Sequence, residues 1–459
     1  MRTLVFVVIS ACAGSGAGPG RADPFTTDSG SDTDSDPIAV ASRTPNLLIF
    51  VADDLGIDKL DAYGFHPETP TTPVLDGLMA HGVRFDRFWA QPVCSPGRAS
   101  LMTGLPPHAT GVGNALPTGN GNPLDLGLQT LPEMLDGYDS SLVGKWHLSS
   151  ENLPGNGFRS HPNDSGFGWY AGIIHGMETS ATSDGLPQGY YDWERTENGV
   201  PARDDRYITT ANADDAVARI QAMAEPWLLI VAFGAPHAPY ATPPAGLYSG
   251  VEVGQTGAER KYNASIEALD AEMGRVLEAL SPEVAERTTV FFTADNGTPP
   301  DVISLPSVES KGSLFEGGLR VPLIVSGYGV SRPGETCNSL VQISDFAATL
   351  VDLSGAEPVQ GLDSISFAPC LSEAVPAGRR ELAMAEGFSP EGFGPYTNAG
   401  AAVRDEQYKL IVSSQSPDAF FDLGGLPTEP QNLLPGGLTA SQQDVYEVLR
   451  AAIPETLAP

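Results

Sequence analysis

Four apolar runs of this chain stop at residues with unusual chemical capacity. LLIFVADD (47–54) ends in Asp53 and Asp54, and TTVFFTADNG (288–297) ends in Asp295 and Asn296. SSLVGKWH (140–147) ends in Lys145 and His147, and WLLIVAFGAPHAP (227–239) ends around His237. The first pair of runs offers only oxygen donors, the ligand chemistry of a hard cation such as Ca²⁺ or Mg²⁺ rather than zinc. The second pair offers cations and bases. Alone, an Asp-Asp pair after a strand is more often a helix cap, and DNG a turn; their joint appearance at strand ends shifts the reading to a site. Only five lysines occur in the chain, and two of them, Lys145 and Lys311, sit in the glycine-flanked segments GKWH and SKGSLFEGG. With Arg98 and a bound cation they would form a positive pocket suited to a tetrahedral oxyanion. Within CSPGRASLMTG (94–104) a cysteine, Cys94, stands four residues before that arginine.

The elements needed to gather these groups are legible in the patterning. Each run has the length of a buried parallel strand. Between them lie helical patterns, clearest in YNASIEALDAEMGRVLEAL, which puts Ile266, Leu269, Met273, Val276, Leu277 and Leu280 on one face. Strands alternating with helices predict an α/β domain with a mostly parallel sheet, whose ligands sit beyond the carboxyl ends of the strands.

The totals set bounds on partners. The chain has 459 residues, 57 Asp+Glu against 25 Lys+Arg and a formal charge of −32, which disfavours nucleic acid and anionic membrane surfaces. At the N-terminus, an apolar run from Leu4 to Ile9 precedes Ser10, Ala11 and Cys12. The run is too short to span a bilayer, and it resembles an export signal ending in a bacterial lipobox. The expectation is a signal over 1–12, a lipid on Cys12 as the only membrane attachment, a flexible acidic tether over 13–43, and a location in the periplasm or at the cell surface. Cys337 and Cys370 are open to pairing as a disulfide in an exported protein, which leaves Cys94 over.

CSPGR matches the C-x-P-x-R signature of the type I, formylglycine-dependent sulfatases of the alkaline phosphatase superfamily, and GYDSSLVGKWH resembles their second signature. The likeness continues through PNLLIFVADDLG, TTPVLDGLMAHGVRF, APHAPY, FFTADNG, KGSLFEGGLRVPLIV, ISDFAATLVDLSG and YKLIVSSQSPDAFFDLGGLPTEPQNLL, from about Pro45 to about Leu434. It implies a catalytic α/β domain over 44–370 and a smaller C-terminal α+β domain over 371–459 with an antiparallel sheet. It implies a sulfuric ester hydrolase acting on an aryl or carbohydrate sulfate. A maturation enzyme would oxidise Cys94 to formylglycine, whose hydrate attacks sulfur and later collapses to expel sulfate.

By the same resemblance Asp53, Asp54, Asp295 and Asn296, completed by the modified Cys94, are the metal ligands, with Ca²⁺ expected and Mg²⁺ the alternative. Arg98 steadies nucleophile and metal shell, and Lys145 bridges nucleophile and sulfate. His147 is the base of sulfate release, while His237 and Lys311 bind ester oxygens and protonate the leaving alcohol. His175 is a candidate for substrate contact. His66, His81 and His108 are left as ordinary surface or core residues. Position 97 is glycine where the family usually has serine, which implies less efficient cysteine oxidation. Two other readings stay open: a phosphonate monoester or phosphodiester hydrolase with the same nucleophile, and a non-catalytic binding protein with an unmodified thiol.

Overall fold

The computed structural model describes residues 44–457, apart from 67, 120, 178–184, 186–187, 251–252, 307–308, 375, 377–378 and 427. Cys12 and the segments 1–12 and 13–43 lie outside the described residues. No helix among the described residues is long and apolar enough to cross a membrane.

The strands of the main sheet are β1 (Asn46–Ala52), β2 (Gly82–Phe85), β4 (Asp139–Gly144), β5 (Trp169–Gly172), β6 (Trp193–Glu197), β7 (Val200–Asp204), β8 (Trp227–Ala232), β9 (Thr288–Ala294), β10 (Leu323–Gly327) and β11 (Glu335–Cys337), with β3 (Phe88–Trp89) outside it. Their order is β11-β2-β10-β9-β1-β8-β4-β5-β6-β7. The central block β9-β1-β8-β4-β5 is parallel throughout, while antiparallel strands extend it on both sides. Every residue of β1, β8 and β9 is buried, the expected consequence of covering a parallel sheet with helices on both faces. The helix Gly257–Glu278 turns its apolar stripe inward: Ile266, Leu269, Met273, Val276 and Leu277 are all buried, as is Leu280 just past its end. The predicted α/β sheet is therefore present.

A second sheet follows, antiparallel in the order β13-β14-β15-β16, formed by β13 (Ala383–Ser389), β14 (Asn398–Arg404), β15 (Tyr408–Ser413) and β16 (Ser416–Asp422). The short pair β3 and β12 (Val341–Gln342) runs parallel beside it. The helix Ala440–Ala452 closes one face, burying Leu449 with Val403, Leu410 and Phe420. The other face packs on the large domain, where Trp89 and Leu319 meet Ala385, Ala402 and Phe421. Cys337 and Cys370 are joined by a disulfide, S–S 2.16 Å, within the main core.

A buried charge cluster fastens the two sheets together. Lys409 Nζ lies 3.0 Å from Glu316 and 2.6 Å from Glu429, and Arg404 lies 3.4 Å from Glu316. The Trp89 indole donates to Glu316 at 3.1 Å and presents its ring to the Lys409 ammonium, 4.5 Å from the centroid. Burial pushes Glu316 up, but Lys409 and Arg404 outweigh it and hold the carboxyl down at about 2.

Candidate active site

The parallel block delivers the chemistry because its strands end together. β9, β1, β8 and β4 are hydrogen-bonded neighbours in that order, so the residues after each carboxyl end share one rim of the sheet. Asp53 and Asp54 follow β1, Lys145 and His147 follow β4, His237 lies five residues past β8, and Asp295 and Asn296 follow β9. Cys94 and Arg98 arrive separately, in the first turns of the wholly buried helix Cys94–Thr103. Lys311 arrives on the loop before Glu316.

Two backbone features make this assembly tight. Gly144 has φ +99°, and a Cβ there would collide with the carbonyl of Ala232 on the neighbouring strand, so glycine alone allows β4 to deliver Lys145 at that spot. Gly97 lets its helix rest directly on the Asp295 carbonyl, where a Cβ would also clash. Asp54 and His147 themselves hold positive φ, +71° and +57°, a conformation costly for residues other than glycine and concentrated at functional sites.

The side chains interlock around the carboxylates. The Cys94 thiol donates to Asp53 Oδ1 at 3.4 Å and to Asp54 Oδ1 at 3.7 Å. Lys145 Nζ donates to Asp53 Oδ2 at 2.5 Å. Lys311 Nζ lies 2.6 and 2.7 Å from the two Asp54 oxygens, and His237 Nε2 is 3.5 Å from Asp54 Oδ2. Arg98 donates to Asp295 Oδ2 at 2.8 Å and to the Lys145 carbonyl at 2.7 Å. Asn296 Nδ2 donates to Asp54 Oδ1 at 2.8 Å. Most of these groups are sealed from solvent, whereas the side chains of His237 and Lys311 are 16% and 19% exposed. The mouth of the site is therefore on their side.

Electrostatics sorts these groups into roles. Burial pushes Asp53 up, yet Lys145, His237, Arg98 and Lys311 together overcome it and hold the carboxyl well below the usual range. Asp54 is lowered against the same burial, chiefly by His237 and Lys311. Asp295 has less compensation: burial and the neighbouring aspartates outweigh Arg98 and raise it to about 6. Burial, joined by Lys145 and Arg98, pushes His147 well below its ordinary value, so its imidazole is held in the neutral form. Burial also raises the Cys94 thiol beyond what Lys145 and Lys311 offset, so as a thiol it is not the ready nucleophile a catalytic cysteine has to be.

The donor set could hold a metal ion. Ligand atoms of Asp53, Asp54, Cys94 and His237 all lie within 4.8 Å of one another. Asn296 Oδ1 is buried without a hydrogen-bond partner, an oxygen donor left facing no proton. This grouping brings His237 beside the carboxylates more closely than the sequence reading anticipated. Asp295, counted there with the ligands, engages Arg98 and the Asp54 amide, the latter at 3.2 Å.

His175 has a packed position: 2% exposed, its ring is stacked on Phe158 and its Nε2 is 3.8 Å from Glu151. Other contributors carry no motif. The Leu116 carbonyl orients His147 through Nε2 at 3.1 Å, and the Tyr262 hydroxyl holds the strained Asp54 carbonyl at 2.6 Å. Buried Asp58 accepts from Thr298 at 2.6 Å and from the Ser304 amide at 2.9 Å, lashing the loop after β1 to the loop after β9. For Tyr262 the only sequence signal is the helix that carries it.

Comparison with known proteins agrees with this arrangement. A family profile described as Sulfatase matches residues 45–356, and one described as N-sulphoglucosamine sulphohydrolase, C-terminal, matches residues 309–456. The chain is 29% identical to human arylsulfatase A, over 90% of this chain and 87% of that protein. It is 32% identical to human N-acetylgalactosamine-6-sulfatase, over 72% of this chain and 66% of that protein. Among solved structures, Ps i-CgsB in complex with k-i-k-neocarrahexaose superposes with a TM-score of 0.75 at 24% identity, covering 89% of this chain and 92% of that one. A protein solved with its substrate D-glucosamine-2-N,6-O-disulfate superposes with a TM-score of 0.70 at 19% identity, covering 89% and 97%. At those identities the structures speak for the fold. The profile match over most of the chain, together with the relatives, establishes that this protein belongs to the sulfatase family, enzymes that hydrolyse sulfate esters.

Proposed function

We propose that this chain hydrolyses a sulfate monoester of an aryl or carbohydrate alcohol, using a formylglycine made from Cys94 and a divalent cation, Ca²⁺ or Mg²⁺. The observation that carries the reading is the placement of Cys94: a buried thiol, too weakly acidic to act as such, seated at a helix N-terminus within 3.4 Å of Asp53 and ringed by cations and bases. That is the setting of a precursor rather than of a thiolate nucleophile. Oxidation to the aldehyde would supply a hydrate, with one hydroxyl for attack on sulfur and a second whose deprotonation expels sulfate. The cation, when held by Asp53, Asp54, Asp295, Asn296 and position 94, would polarise an ester oxygen and stabilise negative charge.

The remaining steps fall to the side chains around Cys94. Lys145 and Lys311, both kept protonated by the carboxylates despite burial, present positive charge to the sulfate oxygens. His147, neutral and with Nδ1 unpartnered, accepts the proton that leaves the remaining hydroxyl. His237 and Lys311, at the mouth, are the groups able to meet the ester oxygen and return a proton to the departing alcohol. Arg98 bridges Asp295 and the Lys145 backbone, so it fixes geometry between two strand ends.

Export, lipid attachment at Cys12 and a formylglycine-generating partner belong to the same proposal. The test is a side-by-side assay of Ca²⁺-loaded protein on 4-nitrophenyl sulfate, a sulfated monosaccharide and an aryl phosphodiester, with the mass of the residue-94 peptide taken on the same sample. Sulfate release, aldehyde at position 94 and loss of turnover in Cys94→Ala are expected. Faster phosphodiester cleavage would replace the reading with the phosphodiesterase one, and an unmodified thiol with no turnover would leave a binding protein.

A further inference from the structure

A cavity of ≈ 340 Å³ lies between the large domain and the antiparallel sheet. Val93 and Gly312, the chain neighbours of Cys94 and Lys311, both line it. The opposite wall comes from the antiparallel sheet through Phe388, Asn398 and Gln415. Its volume falls in the range that holds a small ligand.

The chemistry of the lining is one-sided. It consists of glycine backbone, serine hydroxyls, Asn and Gln amides, and apolar side chains, among them Phe315, Phe388, Leu314 and Ile411, and none of the described lining residues carries a charge although 18% of the chain does. The neighbouring cations are committed elsewhere. Lys311 is shared between Asp54 and the sulfate being cleaved, and Arg404 and Lys409 are held by Glu316 and Glu429. A carboxylate or second sulfate entering this space would shed part of its hydration with no cation to replace it. The formal charge of −32 adds repulsion on approach. A neutral sugar or aryl ring meets no such penalty, since amides and hydroxyls serve its polar groups and the phenylalanines serve its apolar face.

We propose that this cavity receives the leaving group and selects an uncharged one: an aryl alcohol or a neutral sugar whose only anionic group is the sulfate ester being cleaved. Uronate-bearing and multiply sulfated saccharides are disfavoured. The proposal rests on the sulfatase reading and adds the class of leaving group to it.

The test compares kcat/KM for three esters on protein shown to carry the aldehyde at position 94: 4-nitrophenyl sulfate, an N-acetylhexosamine 6-sulfate, and a disaccharide joining that same sulfated sugar to a uronate. The neutral sugar ester is expected to exceed the uronate disaccharide by at least about tenfold, about 1.4 kcal/mol. Gln415 is exposed in the turn between β15 and β16, so Gln415→Lys is compatible with folding. It should raise the ratio of anionic to neutral turnover by several-fold, and added salt should erase that gain. Equal or better turnover of the uronate ester overturns the proposal, as does a ratio unmoved by Gln415→Lys. Absence of sulfate release from all three esters would instead overturn the sulfatase reading and this proposal with it, a result distinct from a reversed preference.

Discussion

Two buried charge clusters sit in this protein, and they are built to opposite ends. At the junction of the sheets, Glu316, Glu429, Lys409 and Arg404 pair off around Trp89, and the acidic oxygens meet donors at 2.6 to 3.4 Å. At the strand ends, Asp53, Asp54 and Asp295 face Lys145, Lys311 and Arg98 just as closely, yet the ensemble stays unfinished. Asn296 Oδ1 and His147 Nδ1 are buried without partners, Asp295 is raised to about 6, and Asp54 and His147 hold strained backbone. Balanced charges, two against two in one cluster and three against three in the other, thus give a fastener in one place and a reactive pocket in the other. The difference lies in whether every polar atom is satisfied by the protein itself.

That contrast can be broken by substitution, and the largest effect should come from the pocket. Asp54→Asn should reduce turnover by about 10²–10³-fold, since it removes the charge that Lys311, His237 and the expected cation share. Lys311 is 19% exposed and can turn to water, so the melting temperature should fall less than in the fastener variant below; an equal or larger fall would mean that the cluster is a structural element after all. The fastener should respond in the reverse sense. Lys409→Met leaves two buried glutamates facing a single arginine and should cost about 3–5 kcal/mol, read by denaturant unfolding. Adding Glu429→Gln should recover most of that loss, and failure to recover would show that packing on Trp89, rather than charge, was the source.

Gly97 sharpens the comparison at smaller scale. Gly97→Ser must push its helix off the Asp295 carbonyl, with an expected cost of about 1–3 kcal/mol and a fall in kcat larger than any rise in KM. Unchanged kcat would show that the site tolerates the shift. The smallest effect concerns His108, which joins the large domain to β13 through buried Glu386 at 2.8 Å. The hydrogen bond to Glu386 raises the histidine above its ordinary value despite burial. Its contribution is then complete below about pH 6.5, the unfolded value, and is lost as pH rises through the folded one. The melting-temperature gap between wild type and His108→Gln should be widest near pH 6 and close in alkali; a gap flat with pH would mean the pair is not ionised.

His108 also marks a limit of sequence reading. By sequence it reads as an ordinary histidine, for nothing in PHAT announces a buried glutamate 278 residues away. By contrast, the strand-end pairs Asp53–Asp54 and Asp295–Asn296 were legible because buried parallel strands must be apolar, so a polar residue at their carboxyl end stands out. His237 was placed correctly after its strand, but its approach to Asp54 at 3.5 Å depends on the loop that follows. His175 shows the reverse case, a histidine beside a family-like loop that the fold packs against Phe158.

The amino-acid order by itself determined the α/β alternation, the strands that end at the site, and the oxygen and nitrogen groups they bring, because periodicity and residue type act locally along the chain. Tertiary structure alone decided the rest: that Cys94 enters on a separate helix beside Asp53, that Tyr262 and Leu116 hold strained residues in place, and that Lys409 serves the sheet junction while Lys145 serves the site. Those outcomes depend on which distant backbones come within a few ångströms of each other, and on how burial reweights charges whose identities in the sequence are the same.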